Sequence, residues 1–190
     1  MQSGGRKERP SMSPVLYRLH DLISESDGNS LRSLLSSFTC SAEPAAEDFL
    51  KNIAIRHERN AVSRTYVFLE QNRSDKYVIK GFFTLAVKCL AVNECHSIPG
   101  DVLEKMNVDH GVAQAYLLGQ LAKADGTEKW FGKEMIEHAF DFFSKGNDMF
   151  GCIVVRLDCK DNLLGYYESC GFALTGKNSN GTLNQMVAII

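Results

Sequence analysis

The spacing of hydrophobic and polar residues predicts two main amphipathic helices. In the segments 45–62 and 132–143, apolar residues recur at i, i+3 and i+4, and charged residues occupy the opposite side. A shorter helix is predicted over 30–38, with Ser30 as its N-cap, and another over 163–169 that ends before Gly171.

Runs of β-branched and aromatic residues between these helices predict strands. Segments 65–69 and 77–92, separated by the polar turn 72–75, are typical of a β-hairpin. Further strands are predicted at 112–122, 152–157, 172–174 and 186–190. This interleaved order predicts an α/β or α+β fold, in which helices cover both faces of a mixed sheet.

Composition is consistent with one globular domain. The chain has 190 residues, of which 44% are hydrophobic and 23% charged. We expect a single domain over 15–190 and interpret the polar segment 1–14 as a flexible leader or tag. The longest apolar runs are much shorter than the roughly 20 residues that span a bilayer, so no membrane association is expected.

The cysteines favour a reducing compartment. Six cysteines are present, none forms a C-x-x-C pair, and no histidine cluster has zinc spacing, so no metal is expected. Without a signal-like apolar segment, we interpret them as reduced thiols of a cytoplasmic protein.

Charge is unevenly distributed, although the net charge is only −2. Residues 51–80 contain an excess of Lys and Arg, whereas 101–170 contain an excess of Asp and Glu. Arg56, Arg59 and Arg64 in the basic segment are candidates to contact a polyanionic acceptor, and ordinary solvated faces are the alternative.

The segment 112–172 carries the most specific motif. It closes with Gly-Tyr-Tyr-Glu-Ser-Cys-Gly-Phe at 165–172, which resembles the aromatic-Tyr-Glu-x-x-Gly-Phe signature of the GNAT family of acetyl-CoA-dependent N-acetyltransferases. Upstream, 49–67 and 81–85 are similar to the GNAT branch that includes type II toxins. The resemblance covers about 31–174 and implies a GNAT-like sheet that changes from antiparallel to parallel pairing.

The resemblance implies an acetyl-CoA site. The family binds the pyrophosphate on a helix N-terminus, here at Gly132, and uses backbone groups of the preceding strand, here Leu121 and Ala122, to hold the pantetheine arm and the thioester. Of the family motif Q/R-x-x-G-x-G/A only Gly132 is kept, since Thr127 and Trp130 occupy the other two positions. The remaining residues assigned to the cofactor are Lys129, Trp130, Phe131, Lys133 and Asn162.

Tyr167 is the implied catalytic acid. In the family, the tyrosine at this position protonates the departing CoA thiolate, and Tyr166 is expected to be a packing residue. Arg56, Arg64 and Tyr66 are the implied substrate contacts. Candidate general bases lie in the loops before the central strand, although an α-amine with a pKa near 8 needs no dedicated base. These candidates are Glu94, His96, Asp109 and His110.

Two classes of function remain open at this stage. One is direct acetyl transfer in a ternary complex to an amine, which is a small molecule, a peptide or a charged tRNA, with an antitoxin as protein partner and a homodimer as a further assembly. The other is a degenerate fold that binds CoA or a partner without catalysis, because the pyrophosphate motif departs from the family at Thr127 and Trp130.

Overall fold

The computed structural model describes residues 13–72, 74–92, 98, 100–106 and 108–190. Most of the leader and the candidate bases Glu94 and His96 therefore lie outside the described residues. The elements in chain order are β1 (Val15–Arg18), α1 (Leu19–Glu25), α2 (Gly28–Ser36), α3 (Pro44–Asp48), a π-helical turn (Phe49–Ile53), α4 (Ala54–Arg59), β2 (Arg64–Gln71), β3 (Tyr77–Val87), β4 (Leu90–Ala91), α5 (Gly100–Lys105), β5 (Val108–Asp109), β6 (Val112–Ala113), β7 (Tyr116–Lys123), α6 (Phe131–Phe150), β8 (Val154–Cys159), a 3₁₀ turn (Asp161–Leu163), α7 (Leu164–Glu168), β9 (Ala173–Lys177) and β10 (Asn184–Ile189).

A seven-stranded sheet organises the molecule, in the order β1-β2-β3-β7-β8-β10-β9. Every neighbouring pair is antiparallel except β7 and β8, which are parallel. A second, small sheet has the order β4-β6-β5. The predicted change from antiparallel to parallel pairing is confirmed, and it falls between the two strands that flank α6 in the chain.

Helices cover both faces of the sheet, as predicted. On one face α6 and α7 bury an aromatic cluster that includes Phe83, Phe131 and Tyr167. On the other face α1 to α4 pack over β2 and β3, with Leu50 and Phe82 in that core. The small sheet and α5 cover β8 and β10 on this second face, through a separate cluster that includes Val154.

Several predicted boundaries are wrong because capping and tertiary contacts decide them. The N-cap of α2 is Asp27, not Ser30, since the Asp27 carboxylate accepts the backbone N–H of Asn29 and Ser30 at 3.0 Å. The helix predicted over 45–62 runs from Pro44 to Arg59 and contains the π-helical turn.

The apolar stretches at 77–92 and 112–122 each divide between the two sheets. The helix predicted to end at Phe143 continues to Phe150, although its last turns are polar. It ends where Gly151 takes the left-handed conformation, with φ of 74°. The terminal turns are held close to the sheet, because a Cβ on Gly146 would lie 2.7 Å from the Tyr116 hydroxyl.

Candidate functional site

The divergence of β7 from β8 forms the centre of the site. Only Tyr116 and Leu117 pair with β8, opposite Val155 and Arg156, although β7 has eight residues. The rest of β7, including Leu121 and Ala122, has no registered partner on that side. Backbone N–H groups alternate along a strand, and the N–H of Ala124 donates to the Lys80 carbonyl on the β3 side at 2.8 Å. The amide of Ala122 therefore points to β3, whereas that of Leu121 points to the open side and is available to a ligand that enters between the strands.

A β-bulge lies within the divergent half of β7. The pairing with β3 passes from Phe83 opposite Leu121 to Leu85 opposite Leu118, so β7 carries one extra residue. The hydroxyl of Thr84 accepts the backbone N–H of Gln120 at 2.8 Å and thereby stabilises the bulge. Bulges change the direction of local backbone groups and are common beside active sites.

The N-terminus of α6 follows β7 after a short turn. A helix of 20 residues carries a partial positive charge at its first turn, where an anion is stabilised. The N–H groups of Phe131 and Lys133 in this turn donate to the carbonyls of Glu128 and Trp130, at 3.3 and 3.0 Å. Phe131 is buried and anchors this turn in the core, whereas the side chains of Lys129, Trp130 and Lys133 are exposed. The exposed cations can approach a phosphate there, and the helix supplies the backbone donors.

Gly132 contacts Tyr166 of α7 closely. A Cβ built on Gly132 would lie 2.6 Å from the Tyr166 hydroxyl, so only glycine fits without a shift. The hydroxyl is buried and, among the described residues, has no hydrogen-bond partner, and burial raises the pKa of Tyr166 to about 12. The structure therefore links the predicted pyrophosphate loop directly to the helix that carries Tyr167.

Tyr167 lies in the core beneath this contact. Its ring packs edge-on against Tyr166, with centroids 5.1 Å apart, and against Phe172 at 5.8 Å. Burial raises the pKa of Tyr167 well above its ordinary value, and the neighbouring Tyr166 adds to the shift. The hydroxyl therefore stays protonated at physiological pH, which is the state that a proton donor needs.

A loop before α3 connects the ends of the two divergent strands. Ser41 donates its N–H and its hydroxyl to the two carboxylate oxygens of Asp125, directly after β7, at 2.9 and 2.8 Å. These bonds lower the pKa of Asp125. Glu43 forms an ion pair with Lys160, directly after β8, at 2.6 Å. Asn162 follows in the exposed 3₁₀ turn at the same end of β8.

A basic pocket of about 490 Å³ lies on the other face of the molecule, between α2 and α4. Its lining residues are Arg32, Ser36, Lys51, Asn52, Ile55, Arg56, Arg59 and Asn60. Lys51 also forms an ion pair with Glu47 at 2.6 Å, and this contact lowers the pKa of Glu47. Sequence analysis predicted Arg56 and Arg59 but missed Arg32, which lies far away in the chain and outside the basic segment.

The structure separates Arg64 from this pocket. Its Nη1 donates to the Glu58 carboxylate at 2.9 Å and to the Glu58 carbonyl at 3.0 Å. The second carboxylate oxygen of Glu58 accepts a hydrogen bond from the backbone N–H of Thr65. Glu58 is buried, and both of its carboxylate oxygens are hydrogen-bonded. Arg64 thus holds β2 against α4, and half of its side chain remains exposed.

Tyr66, the third predicted substrate contact, lies in the core. Its ring stacks on Phe83, with centroids 5.1 Å apart, and on Phe142 at 4.2 Å. Burial raises the pKa of its hydroxyl. The structure therefore places Tyr66 away from the basic pocket and accounts for it as a packing residue.

Asp109 and His110 lie at the tip of the β5–β6 hairpin. Their side chains are 86% and 95% exposed and are 3.5 Å apart. This exposure is typical of a solvated turn, and no contact brings either residue to the divergent strands. Among the described residues, no cluster of His, Cys, Asp and Glu is able to hold a metal, and no helix has the length and hydropathy needed to cross a membrane.

Structural comparison identifies the fold. No protein-family model matches the chain, and no curated protein sequence is significantly similar. Among solved structures, AtaT complexed with acetyl-methionyl-tRNAfMet shares 19% identity over 90% of this chain and 93% of its own, with a TM-score of 0.69. The fold is accordingly a GNAT-like α+β fold.

Two further solved structures agree in fold. A tyrosine-to-phenylalanine mutant of the AtaT toxin, bound to the C-terminus of the antitoxin AtaR and acetyl-CoA, shares 17% identity over 94% of each chain, with a TM-score of 0.69. A tyrosine-to-phenylalanine mutant of KacT shares 18% identity over 92% of this chain and 94% of its own, also with a TM-score of 0.69.

Proposed function

We propose that the protein is an N-acetyltransferase that transfers the acetyl group of acetyl-CoA to an amine in a ternary complex. The observation that carries the proposal is the divergence of β7 from β8 directly before the N-terminus of α6. This arrangement offers unpaired strand amides for an extended thioester and a helix terminus for its pyrophosphate. Its occurrence on a fold that also binds acetyl-CoA in the AtaT complex supports the assignment.

In this proposal the cofactor contacts are mostly backbone groups. The first turn of α6, with Gly132 and Phe131, receives the pyrophosphate, and Lys129, Trp130 and Lys133 surround it. Leu121 and Ala122 hold the pantetheine arm, and a backbone N–H of β7 stabilises the negative charge that develops on the thioester oxygen. Asn162, at the end of β8, contacts the far side of the same molecule.

The reaction breaks the thioester C–S bond and forms an amide C–N bond. The neutral amine attacks the acetyl carbonyl, and its surplus proton passes to water. Tyr167 donates its hydroxyl proton to the departing thiolate and is reprotonated from solvent. Because burial raises the pKa of Tyr167, the tyrosinate is unfavourable. The hydroxyl therefore donates a hydrogen bond to the sulfur first, and the proton moves to the sulfur as the C–S bond breaks.

The acceptor that we propose is the α-amine of a charged tRNA. The basic pocket supplies Arg32, Arg56 and Arg59 as phosphate contacts, with Lys51 beside them. The structure of AtaT with acetyl-methionyl-tRNAfMet supports the same acceptor class. A tRNA acceptor also requires cytoplasmic action, which agrees with the expected reduced thiols.

An assay of labelled acetyl transfer tests the proposal. The purified protein is incubated with labelled acetyl-CoA and, separately, with charged tRNA, uncharged tRNA, a basic peptide or a polyamine. Transfer to charged tRNA alone is the expected result. Transfer only to the peptide or the polyamine would show that the acceptor is not a charged tRNA. Binding of acetyl-CoA by calorimetry without transfer to any amine would favour the non-catalytic CoA-binding fold.

We further propose an inhibitory antitoxin as the protein partner, by analogy with the complex of AtaT and AtaR. Such a partner should abolish acetyl transfer at stoichiometric concentration and leave the fold unchanged. A homodimer stays a prediction, and sedimentation analysis of the isolated protein tests it.

A further inference from the structure

The face of β8 opposite α6 contains a partly buried ion pair. Arg156 and Asp158 lie on β8, and the Nη2 of Arg156 donates to Oδ1 of Asp158 at 3.0 Å. Their strand neighbours Val155, Leu157 and Cys159 point into the core under α6. Because side chains alternate along a strand, Arg156 and Asp158 point to the opposite face.

Arg156 is buried, and one of its N–H donors lacks a hydrogen-bond partner among the described residues. Only 6% of the residue is exposed, and its Nη1 donates to the carbonyl of Cys89 at 2.8 Å. Its buried Nε has no hydrogen-bond partner among the residues that the structure describes. A buried cation with an unused donor is costly to keep, so a purely structural pair would be better replaced by apolar residues.

Asp158 is held in a single orientation by this arginine and remains open to solvent. About a fifth of its side chain is exposed, and only Oδ1 is engaged within the described part of the chain. It lies beyond the last registered pair of β7 and β8, which joins Leu117 and Arg156. The free oxygen is therefore on the part of β8 from which β7 has diverged, and on the sheet face opposite to Tyr167.

We infer that Asp158 binds the ammonium form of the acceptor amine, and that Arg156 is the positioning residue that orients Asp158. The inference rests on the proposed function and names a specificity residue for its acceptor site. A carboxylate with one fixed and one free oxygen selects a cationic amine over an amide of the same size. The bound ammonium releases one proton to water, and the neutral amine then attacks the thioester as in the proposed reaction.

Among the described residues, Arg156 and Lys160 flank Asp158 at alternate positions, and Lys160 is paired with Glu43 at 2.6 Å. Gln185 lies opposite Asp158 on β10, and the next residues of β7 after the last pair are uncharged. An α-amine has a pKa of about 8 and loses its charge as the pH rises above that value. The preference for the amine should therefore be present at pH 7 and disappear above pH 9.

The test measures binding in the presence of CoA, so that no transfer occurs. Two probes are compared, namely tRNA that carries methionine through a 3′-amide bond and the same molecule with an acetylated α-amine. The unmodified protein should bind the free amine about 10- to 100-fold more tightly at pH 7, as expected for a hydrogen bond between charged groups. At pH 9.5 the ratio should approach one.

Asp158→Asn should bind both probes equally at both pH values, while Asp158→Glu should retain a preference. Asp148→Asn, which removes an exposed carboxylate at the end of α6, is the matched control and should behave like the unmodified protein. A pH-independent or absent preference in the unmodified protein overturns the inference even if no variant folds.

Acetyl transfer by the unmodified protein is measured in parallel. Transfer to charged tRNA without a pH-dependent amine preference overturns the inference alone. Absence of transfer to every amine overturns the proposed function, and the inference with it. The two failures are therefore distinguishable.

Discussion

The contact between Gly132 and Tyr166 allows a quantitative test of the link between the cofactor helix and α7. In Gly132→Ala the new Cβ lies 2.6 Å from the Tyr166 hydroxyl oxygen, but its next neighbour, the ring carbon Cζ, is 3.5 Å away. The first distance is a clash and the second is ordinary van der Waals contact. Overpacking of this kind costs about 1–3 kcal/mol, which exceeds the roughly 1 kcal/mol that alanine gains over glycine in a helix.

Removal of the hydroxyl should relieve the penalty. Tyr166→Phe deletes a buried group that lacks a partner among the described residues, so its own effect on the free energy of unfolding should be close to zero. In the Tyr166→Phe background, Gly132→Ala should be neutral or slightly stabilising. The coupling energy between the two sites should therefore be about 1–3 kcal/mol.

Urea unfolding followed by far-UV circular dichroism measures all four proteins of this cycle. With a urea dependence of about 2 kcal/mol/M, Gly132→Ala alone should lower the midpoint by up to about 1 M. An equal loss in both backgrounds would show that the hydroxyl is not the obstacle and that the two helices are less tightly packed. The same contact determines how cofactor binding is tested. A Gly132 variant disturbs the packing against Tyr166 as well as the pyrophosphate site. Its effect on acetyl-CoA affinity is therefore measured in the Tyr166→Phe background, where the packing clash is absent.

Four further predictions rest on named contacts. Tyr167→Phe should reduce turnover by about 10²- to 10⁴-fold with little change in acetyl-CoA affinity, whereas Tyr166→Phe should have little effect on turnover, as steady-state kinetics will show. The pH–rate profile should have no limb from Tyr167 below about pH 10, because burial raises its pKa. Charge reversal at Arg56 and Arg59 should weaken tRNA binding and flatten the dependence of affinity on salt concentration in titrations. An equal salt dependence in the variant and the unmodified protein would exclude the basic pocket as a tRNA contact. Glu58→Ala should lower the free energy of unfolding by about 1–3 kcal/mol, measured by urea, because it leaves a buried backbone N–H unpaired.

Local patterns predicted the elements better than their ends. The helix at 132–143 and the hairpin at 65–92 follow from spacing and turn residues within a few positions of one another. The end of α6 depends instead on Gly146 packing against Tyr116, a contact between residues 30 positions apart. The division of 112–122 between two sheets likewise depends on pairing partners that the segment itself does not specify.

The same limit applies to the candidate site. Tyr167 and Gly132 were found because each lies in a short motif. Arg32 was missed because only the tertiary arrangement of α2 beside the π-helical turn and α4 brings it to the same pocket as Arg56. Asp158 carries a weak signal, since charged residues at alternate positions of a buried strand are unusual, but its free oxygen is visible only where β7 and β8 diverge.

The departure of the pyrophosphate motif from the family pattern has a structural explanation that favours binding. Thr127, in place of the family's Gln or Arg, is buried, and its hydroxyl donates to the Lys80 carbonyl at 3.2 Å. Its carbonyl accepts Lys123 Nζ at 2.7 Å, so the turn is held by its own backbone and by two lysines. Trp130 is 61% exposed and is not packed into the core. Because backbone N–H groups bind a pyrophosphate, a turn that keeps its shape without the family's side chains can still present them. The substitutions at Thr127 and Trp130 are thus weak evidence for a non-catalytic fold. The contact between Gly132 and Tyr166, which fixes the approach of α7, places a stricter requirement on the sequence of this site.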